Sequence, residues 1–215
     1  SALGPDDAGL YLIGQLPEQD TWLYGYYGPE DAQGLILRVG TQWHSLAIPF
    51  LTPQVLLPTM SYGDYDGDGD LELAVIVFVD GGTGTNVWGL SVVDFSNGGW
   101  ELFQFADADY TAIVDLSLSS TYDPQTNLIT LHAGDTSLEL DPAALGYADL
   151  NVELEAGLGN WVQFATNGDS ISAAFGITLW APDMPATGVQ AATLQANVVY
   201  TGSAFGLSDF SFSQP

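Results

Sequence analysis

The chain has 215 residues, of which 47% are apolar, and 27 acidic residues against the single basic residue Arg38 give it a formal net charge of −26. Nucleic acids and anionic lipid surfaces bind clustered Lys and Arg, so the composition excludes both classes of partner. The absence of cysteine excludes disulfides, thiolate zinc sites and cysteine nucleophiles.

Short runs of β-branched and aromatic residues alternate with turn residues along the whole chain. This pattern predicts one all-β domain over residues 1–215, an antiparallel β-sandwich or barrel-like fold, with a possible soft seam near residues 156–160. Short helices are favoured only over residues 106–114 and 142–147. The predicted strands cover residues 22–27, 34–39, 43–49, 72–79, 89–94, 101–105, 116–120, 128–132, 137–140, 160–165, 170–180, 191–200 and 209–212.

Three sequences predict tight turns between strands: Gly40-Thr41, Asn97-Gly98 and Asn167-Gly168-Asp169. No apolar run approaches the roughly 20 residues of a membrane span. The first residues contain neither a basic segment nor an apolar stretch, so we expect that any secretion signal has been removed.

An acidic, glycine-containing segment over residues 63–75 leads into an apolar run. Asp64, Asp66, Asp68, Asp70 and Glu72 place a carboxylate at every second residue. Such closely spaced like charges repel unless a cation lies among them, and Ca²⁺ takes about six to eight oxygen ligands in flexible loops. We therefore predict a Ca²⁺ site; the alternative is an acidic turn that is merely solvated.

The order of residues in this segment is Gly-Asp-x-Asp-Gly-Asp-Gly-x-x-Glu-Leu-x-Val. Its opening matches an EF-hand loop, but Val75 stands where an EF-hand has its bidentate Glu, and no helical pattern flanks it. The segment instead resembles the calcium loop of FG-GAP and VCBS-type extracellular repeats. The chain holds one copy, so the resemblance does not imply a β-propeller.

This resemblance implies a ligand set for the ion. In those families, side chains at positions 1, 3, 5 and 9 and the backbone carbonyl at position 7 bind Ca²⁺. The corresponding ligands here are the side chains of Asp64, Asp66, Asp68 and Glu72 and the carbonyl of Asp70, with Glu72 in place of the more usual Asp.

Aromatic residues alternate in one predicted strand, where Trp22, Tyr24 and Tyr26 share a face. Such a row fits a glycan-binding platform, because rings stack on sugars. It equally fits the core of a sandwich, which is the commoner role of clustered aromatics. The only histidines, His44 and His132, could serve a Ser-His-Asp triad, but no Gly-x-Ser-x-Gly motif is present and structural roles are favoured.

These observations favour a secreted or cell-surface, calcium-stabilised binding or adhesion module rather than an enzyme, with a glycan or a cell-surface protein as partner. One alternative is an extracellular polysaccharide or peptidoglycan hydrolase that uses a carboxylate pair. Another is a structural surface protein that resists proteases, since Arg38 offers trypsin-like enzymes a single site. Compositional bias or charge engineering would also explain the shortage of basic residues.

Overall fold

A computed structural model describes residues 9–26, 34–48, 56–96, 99–146, 154–180 and 188–214. Strands account for 66% of it and helix for 9%, which confirms the predicted all-β class. The elements, in chain order, are β1 (Leu10–Leu16), a 3₁₀ turn (Pro17–Gln19), β2 (Thr21–Tyr26), β3 (Gly34–Val39), β4 (Gln42–Leu46), β5 (Thr59–Gly63), β6 (Glu72–Gly82), β7 (Thr85–Asp94), β8 (Glu101–Phe105), α1 (Asp107–Ser117), β9 (Leu118–Asp123), β10 (Leu128–Ala133), β11 (Thr136–Leu140), β12 (Glu155–Asn167), β13 (Ser170–Trp180), β14 (Val189–Tyr200) and β15 (Phe205–Ser213).

The strands form three sheets. β1 to β4 make a four-stranded meander, and β11, β10 and β9 make a three-stranded sheet in that order. The remaining eight strands form a large sheet in the order β15-β14-β13-β12-β7-β6-β5, with β8 also paired to β7. One of the sheets curls into a half-barrel.

One pairing departs from the predicted antiparallel arrangement. β12 runs parallel to β7, with Trp161 opposite Asn86 and Val162 opposite Val87, while the other pairings in the described sheets are antiparallel. Residues 156–160, the predicted soft seam, lie within β12 and adjoin an irregularity in its register with β13.

The strand that follows the acidic segment is buried on both faces. Leu73, Val75 and Val77 pack into a core shared with the four-stranded sheet. Ala74 and Ile76 point the other way, into a core shared with β12 to β15. Alternate residues of a strand face opposite sides, so a continuous apolar run is what a strand between two cores requires.

The second core is built around aromatic rings that meet edge-on or at a tilt. Phe175 on β13 is fully buried and contacts Phe164 on β12 and Tyr110 on α1, with ring centroids 6.3 Å and 5.5 Å away respectively. α1 overlaps the helix predicted at 106–114, whereas residues 142–146 form turns. Among the described residues, no helix is long and apolar enough to cross a membrane.

Two of the predicted turns are confirmed as hairpins: Gly40-Thr41 joins β3 to β4, and residues 167–169 join β12 to β13. The Asn97-Gly98 turn lies outside the described residues.

Candidate metal centre

The acidic segment is the connection between β5 and β6. Gly63 and Glu72 are the last residues paired between these strands, so residues 64–71 leave and re-enter the sheet at one point. Gly67 and Gly69 have φ angles of 80° and 97°, a backbone region that glycine adopts without strain. The two glycines let the chain fold back so that acids on both arms of the loop face each other.

Three carboxylates converge at the base of this loop. Asp64, Asp66 and Glu72 each place an oxygen within 4.8 Å of the other two. Glu72 is only 2% exposed and is the only buried acidic residue in the part of the chain that the structure describes. We refer to these three residues as the acid cluster.

The two oxygens of Glu72 have different surroundings. Oε2 accepts hydrogen bonds from the backbone N–H of Tyr65 at 2.6 Å and of Asp66 at 3.3 Å. Oε1 is buried and has no hydrogen-bond partner among the described residues. A buried polar atom without a partner costs about 1–3 kcal/mol, and more when it is charged. The cluster therefore contains one acceptor that only a cation or a donor from outside would satisfy.

The loop shapes itself through its own aspartates. Asp64 Oδ1 accepts from the N–H of Gly67 at 2.8 Å, and Asp66 Oδ1 from that of Asp68 at 3.1 Å. Asp68 Oδ1 accepts from the N–H of Asp70 at 2.8 Å. These bonds hold the carboxylates in place. The structure brings together three of the five predicted ligand residues, whereas Asp68 and Asp70 are exposed and lie outside the acid cluster.

Burial and like charge disfavour ionisation here. Burial raises the pKa of Glu72 to about 7, and the carboxylates of Asp66 and Asp68 act in the same direction, against the two backbone N–H bonds. Burial also raises the pKa of Asp66, with the neighbouring charges of Asp68, Asp94 and Asp64 adding to it. A divalent cation within the cluster would remove both penalties, because it favours the charged form of each group.

A residue far along the chain supports the loop. Asp169, in the β12–β13 turn, accepts a hydrogen bond from the N–H of Asp64 at 3.1 Å. A Cβ on Gly63 would lie 2.7 Å from the carbonyl oxygen of Gly168, so the two connections touch. The sequence predicted the turn at Asn167-Gly168-Asp169 but gave no signal that it would meet a loop about 100 residues earlier.

The three aromatic residues of β2 are not members of the two clusters described above, but Tyr24 is itself a buried residue, 8% exposed. They alternate with Leu23, which is fully buried against the large sheet, and so lie on the opposite face. Trp22 pairs across the sheet with Arg38, whose guanidinium carbon lies 4.0 Å from the ring centroid. Tyr24 is buried and stacks on Trp43 at 5.4 Å, while Trp22 and Tyr26 are partly exposed.

The two histidines lie in different sheets. His44 on β4 packs against Trp100 in a tilted arrangement, with ring centroids 4.5 Å apart. Its Nε2 is buried without a hydrogen-bond partner in the described ranges, and burial lowers the pKa of the imidazole. His132 lies on β10, between Ser119 and Ser137 of the neighbouring strands. The structure does not bring either residue into the acid cluster.

Comparison with known proteins gives no relative. No protein-family model, no curated protein and no solved structure matches this chain.

Proposed function

We propose that this chain is an extracellular binding module in which a Ca²⁺ ion, held by the acid cluster, stabilises the sheet. The observation that carries this proposal is Glu72 Oε1, a buried and unpartnered oxygen of a carboxylate that lies within a cluster with two further carboxylates. An acid cluster alone would be compatible with a solvated turn. A buried carboxylate oxygen without a partner, such as Oε1, is not, because solvent does not reach it to satisfy it.

The chemistry of the donors favours calcium over other metals. The cluster offers only oxygen, whereas zinc and copper sites usually include His or Cys. Mg²⁺ demands a small octahedral cage, while Ca²⁺ accepts six to eight oxygens from irregular loops. The resemblance of residues 63–75 to the FG-GAP and VCBS-type calcium loop supports the same choice, with Asp68 and the carbonyl of Asp70 as further ligands.

The position of the loop favours a structural role for the ion. Glu72 is the first residue of β6, and β6 lies between the two cores. An ion bound to Glu72, Asp64 and Asp66 would tie the end of β5 to the start of β6 and, through Asp169, to the β12–β13 turn. Binding to the folded state alone stabilises a protein by mass action.

Thermal unfolding with and without calcium tests this proposal. EGTA is expected to lower the melting temperature by several degrees, and added Ca²⁺ to restore it where Mg²⁺ does not. Asp66→Ala is expected to melt as the chelated protein does. Asp135→Ala, a change at an exposed acid outside the loop, serves as the matched control and is expected to keep the full response. An unchanged melt in chelator contradicts the proposal.

A glycan is the partner that the outer face of the four-stranded sheet supports best. Trp22, Arg38 and Trp43 form a row across three strands, and Tyr26 lies further along the same face. Aromatic rings stack on the apolar faces of sugars, and Arg38 adds hydrogen-bond donors. A glycan-array and peptidoglycan pull-down with Trp22→Ala and Trp43→Ala tests this, with Trp180→Ala on the large sheet as control. If all three variants bind glycan equally, the glycan does not bind to the outer face of the four-stranded sheet.

An extracellular location agrees with both parts of the proposal. Calcium sites in extracellular modules have dissociation constants of about 10⁻⁴–10⁻³ M, which match the calcium outside cells. The single basic residue, Arg38, forms an ion pair with Asp20 at 3.1 Å. The chain therefore offers trypsin-like proteases one cleavage site, at Arg38, and this residue lies in a β-hairpin.

A further inference from the structure

A groove opens where the large sheet divides. One edge of β7 pairs with β12 at Asn86 and Val87 and then with β8 from Leu90 onward. Between these two contacts, β12 and β8 diverge, and Trp88 and Gly89 have no register partner on this edge among the described strands. The resulting cavity has a volume of about 670 Å³, within the range of about 300–1,000 Å³ that is typical of small-molecule sites.

The walls of the groove are largely apolar. They come from β6, β7, β8 and β12; Val79, Val87 and Leu158 are partly exposed there, while Leu90 and Val162 are buried. β12 carries extra residues against β13 between Leu158 and Val162, and this irregularity forms part of the rim. Bulges of this kind often adjoin functional sites, because they direct a strand away from regular pairing.

The charged groups at the groove are all acidic. Asp80 lies on the β6 side and Asp107, the first residue of α1, on the β8 side; no basic residue is found among the described residues that line the groove. Asp107 is held by a hydrogen bond from the hydroxyl of Thr111 to its Oδ1 at 3.3 Å. Its carboxylate retains acceptor capacity for a ligand.

An oriented aromatic ring borders the same cavity. Trp88 donates its indole N–H to Asn86 Oδ1 at 2.9 Å and contacts Phe78 edge-on at 5.5 Å. Tryptophan is the aromatic side chain that attracts cations most strongly through its π face. Among the described residues that line the groove, an anionic group would find no basic side chain, whereas a cationic group would find a carboxylate, Asp80 or Asp107, and an aromatic ring at the border of the cavity.

We propose that this groove binds a small organic cation, an amine or quaternary ammonium compound with an aromatic or aliphatic body. The body lies on the partly exposed apolar residues Val79, Val87 and Leu158, and the cationic group lies at the mouth beside Asp107. None of the groove residues belongs to the acid cluster, so this site stands independently of the calcium proposal.

The test uses three probes that share one body: 2-phenylethylamine, 2-phenylethanol and phenylacetate. Ligand-observed NMR titration at about 0.15 M salt limits long-range attraction by the net charge, because the Debye length is then about 8 Å. The amine is expected to bind about tenfold more tightly than the alcohol, since a charge-assisted contact exceeds a neutral one by roughly that factor. Phenylacetate is expected to bind most weakly.

Three variants distinguish the groove from general attraction to an acidic surface. Asp107→Asn is expected to weaken amine binding about tenfold and to leave alcohol binding unchanged. Asp115→Asn, at an exposed acid on the same helix, is expected to change neither. Ala47→Trp, at an exposed position on the groove rim, is expected to abolish both; its melting temperature reports that it is folded.

The proposal is overturned if the amine and the alcohol bind equally, or if no probe binds up to about 10 mM, an affinity too weak for a formed site. It is also overturned if Asp115→Asn weakens the amine as much as Asp107→Asn does, or if folded Ala47→Trp binds as the wild type does.

Discussion

Replacing Glu72 by Gln separates the cost of the buried carboxylate from the benefit of a bound ion. Glutamine has the same shape, and its side-chain oxygen can accept the N–H bonds of Tyr65 and Asp66 that Glu72 Oε2 now accepts. Its uncharged amide nitrogen then takes the place of the unpartnered Oε1 beside the carboxylates of the acid cluster. The variant therefore resembles the protonated form of Glu72 and lacks its charge.

The size of the effect follows from the pKa of Glu72. Burial raises it from 4.5 to about 7, and one pKa unit corresponds to about 1.4 kcal/mol, so ionised Glu72 costs the calcium-free protein about 3 kcal/mol above the folded pKa. Between these two pKa values the native state holds more protons than the unfolded state, and the stability of the calcium-free wild type falls as pH rises through this window. Glu72→Gln removes this dependence.

The assay is thermal unfolding near pH 8 in EGTA and in calcium. In EGTA, Glu72→Gln is expected to melt above the wild type by about 6–12 °C, because about 1 kcal/mol shifts the melting temperature of a chain of this size by 2–4 °C. Calcium at 100 times its dissociation constant is expected to stabilise the wild type by about 2.7 kcal/mol and the variant hardly at all. A variant that is less stable than wild type in EGTA, or one that keeps the full calcium response, would refute the reasoning.

Three further predictions concern the support of the loop and the core. Asp169→Ala removes the acceptor of the Asp64 N–H and is expected to weaken calcium binding several-fold in calorimetry. Asp169→Asn keeps an acceptor oxygen and is expected to weaken calcium binding less. Equal calcium affinity of the two variants would show that the β12–β13 turn does not support the site. Asp66→Ala is expected to abolish calcium binding and Asp70→Ala, whose side chain is exposed, to retain it; the reverse order would mean that the ligands are misassigned. Phe175→Ala is expected to lower the free energy of unfolding in urea by about 3–5 kcal/mol, because Phe175 is fully buried; a loss below 1 kcal/mol would contradict the described core.

Local patterns in the sequence predicted local structure. The alternating acids and glycines of residues 63–75 predicted a loop, and the apolar run after Glu72 predicted a buried strand; the structure contains both. Gly40-Thr41 predicted a hairpin because a tight turn there needs a residue at positive φ, and Gly40 has φ 57°. β5 was not predicted, because it is short and half polar.

Contacts between distant segments were not predictable. The alternation of Trp22, Tyr24 and Tyr26 places them on one face of β2, but only the packing of Leu23 determines that this is the outer face. The parallel pairing of β12 with β7 and the hydrogen bond from Asp64 to Asp169 join parts of the chain that carry no mutual signal in one sequence. Likewise, the spacing of five acids does not reveal which three converge; burial of Glu72 at the start of β6 decides that.

The most direct test of the calcium centre is an anomalous difference map from crystals grown in calcium. The account predicts a peak at the base of the β5–β6 loop, with Glu72 Oε1 and oxygens of Asp64 and Asp66 about 2.3–2.6 Å from it. The absence of a peak, with water alone between these carboxylates, would contradict the account.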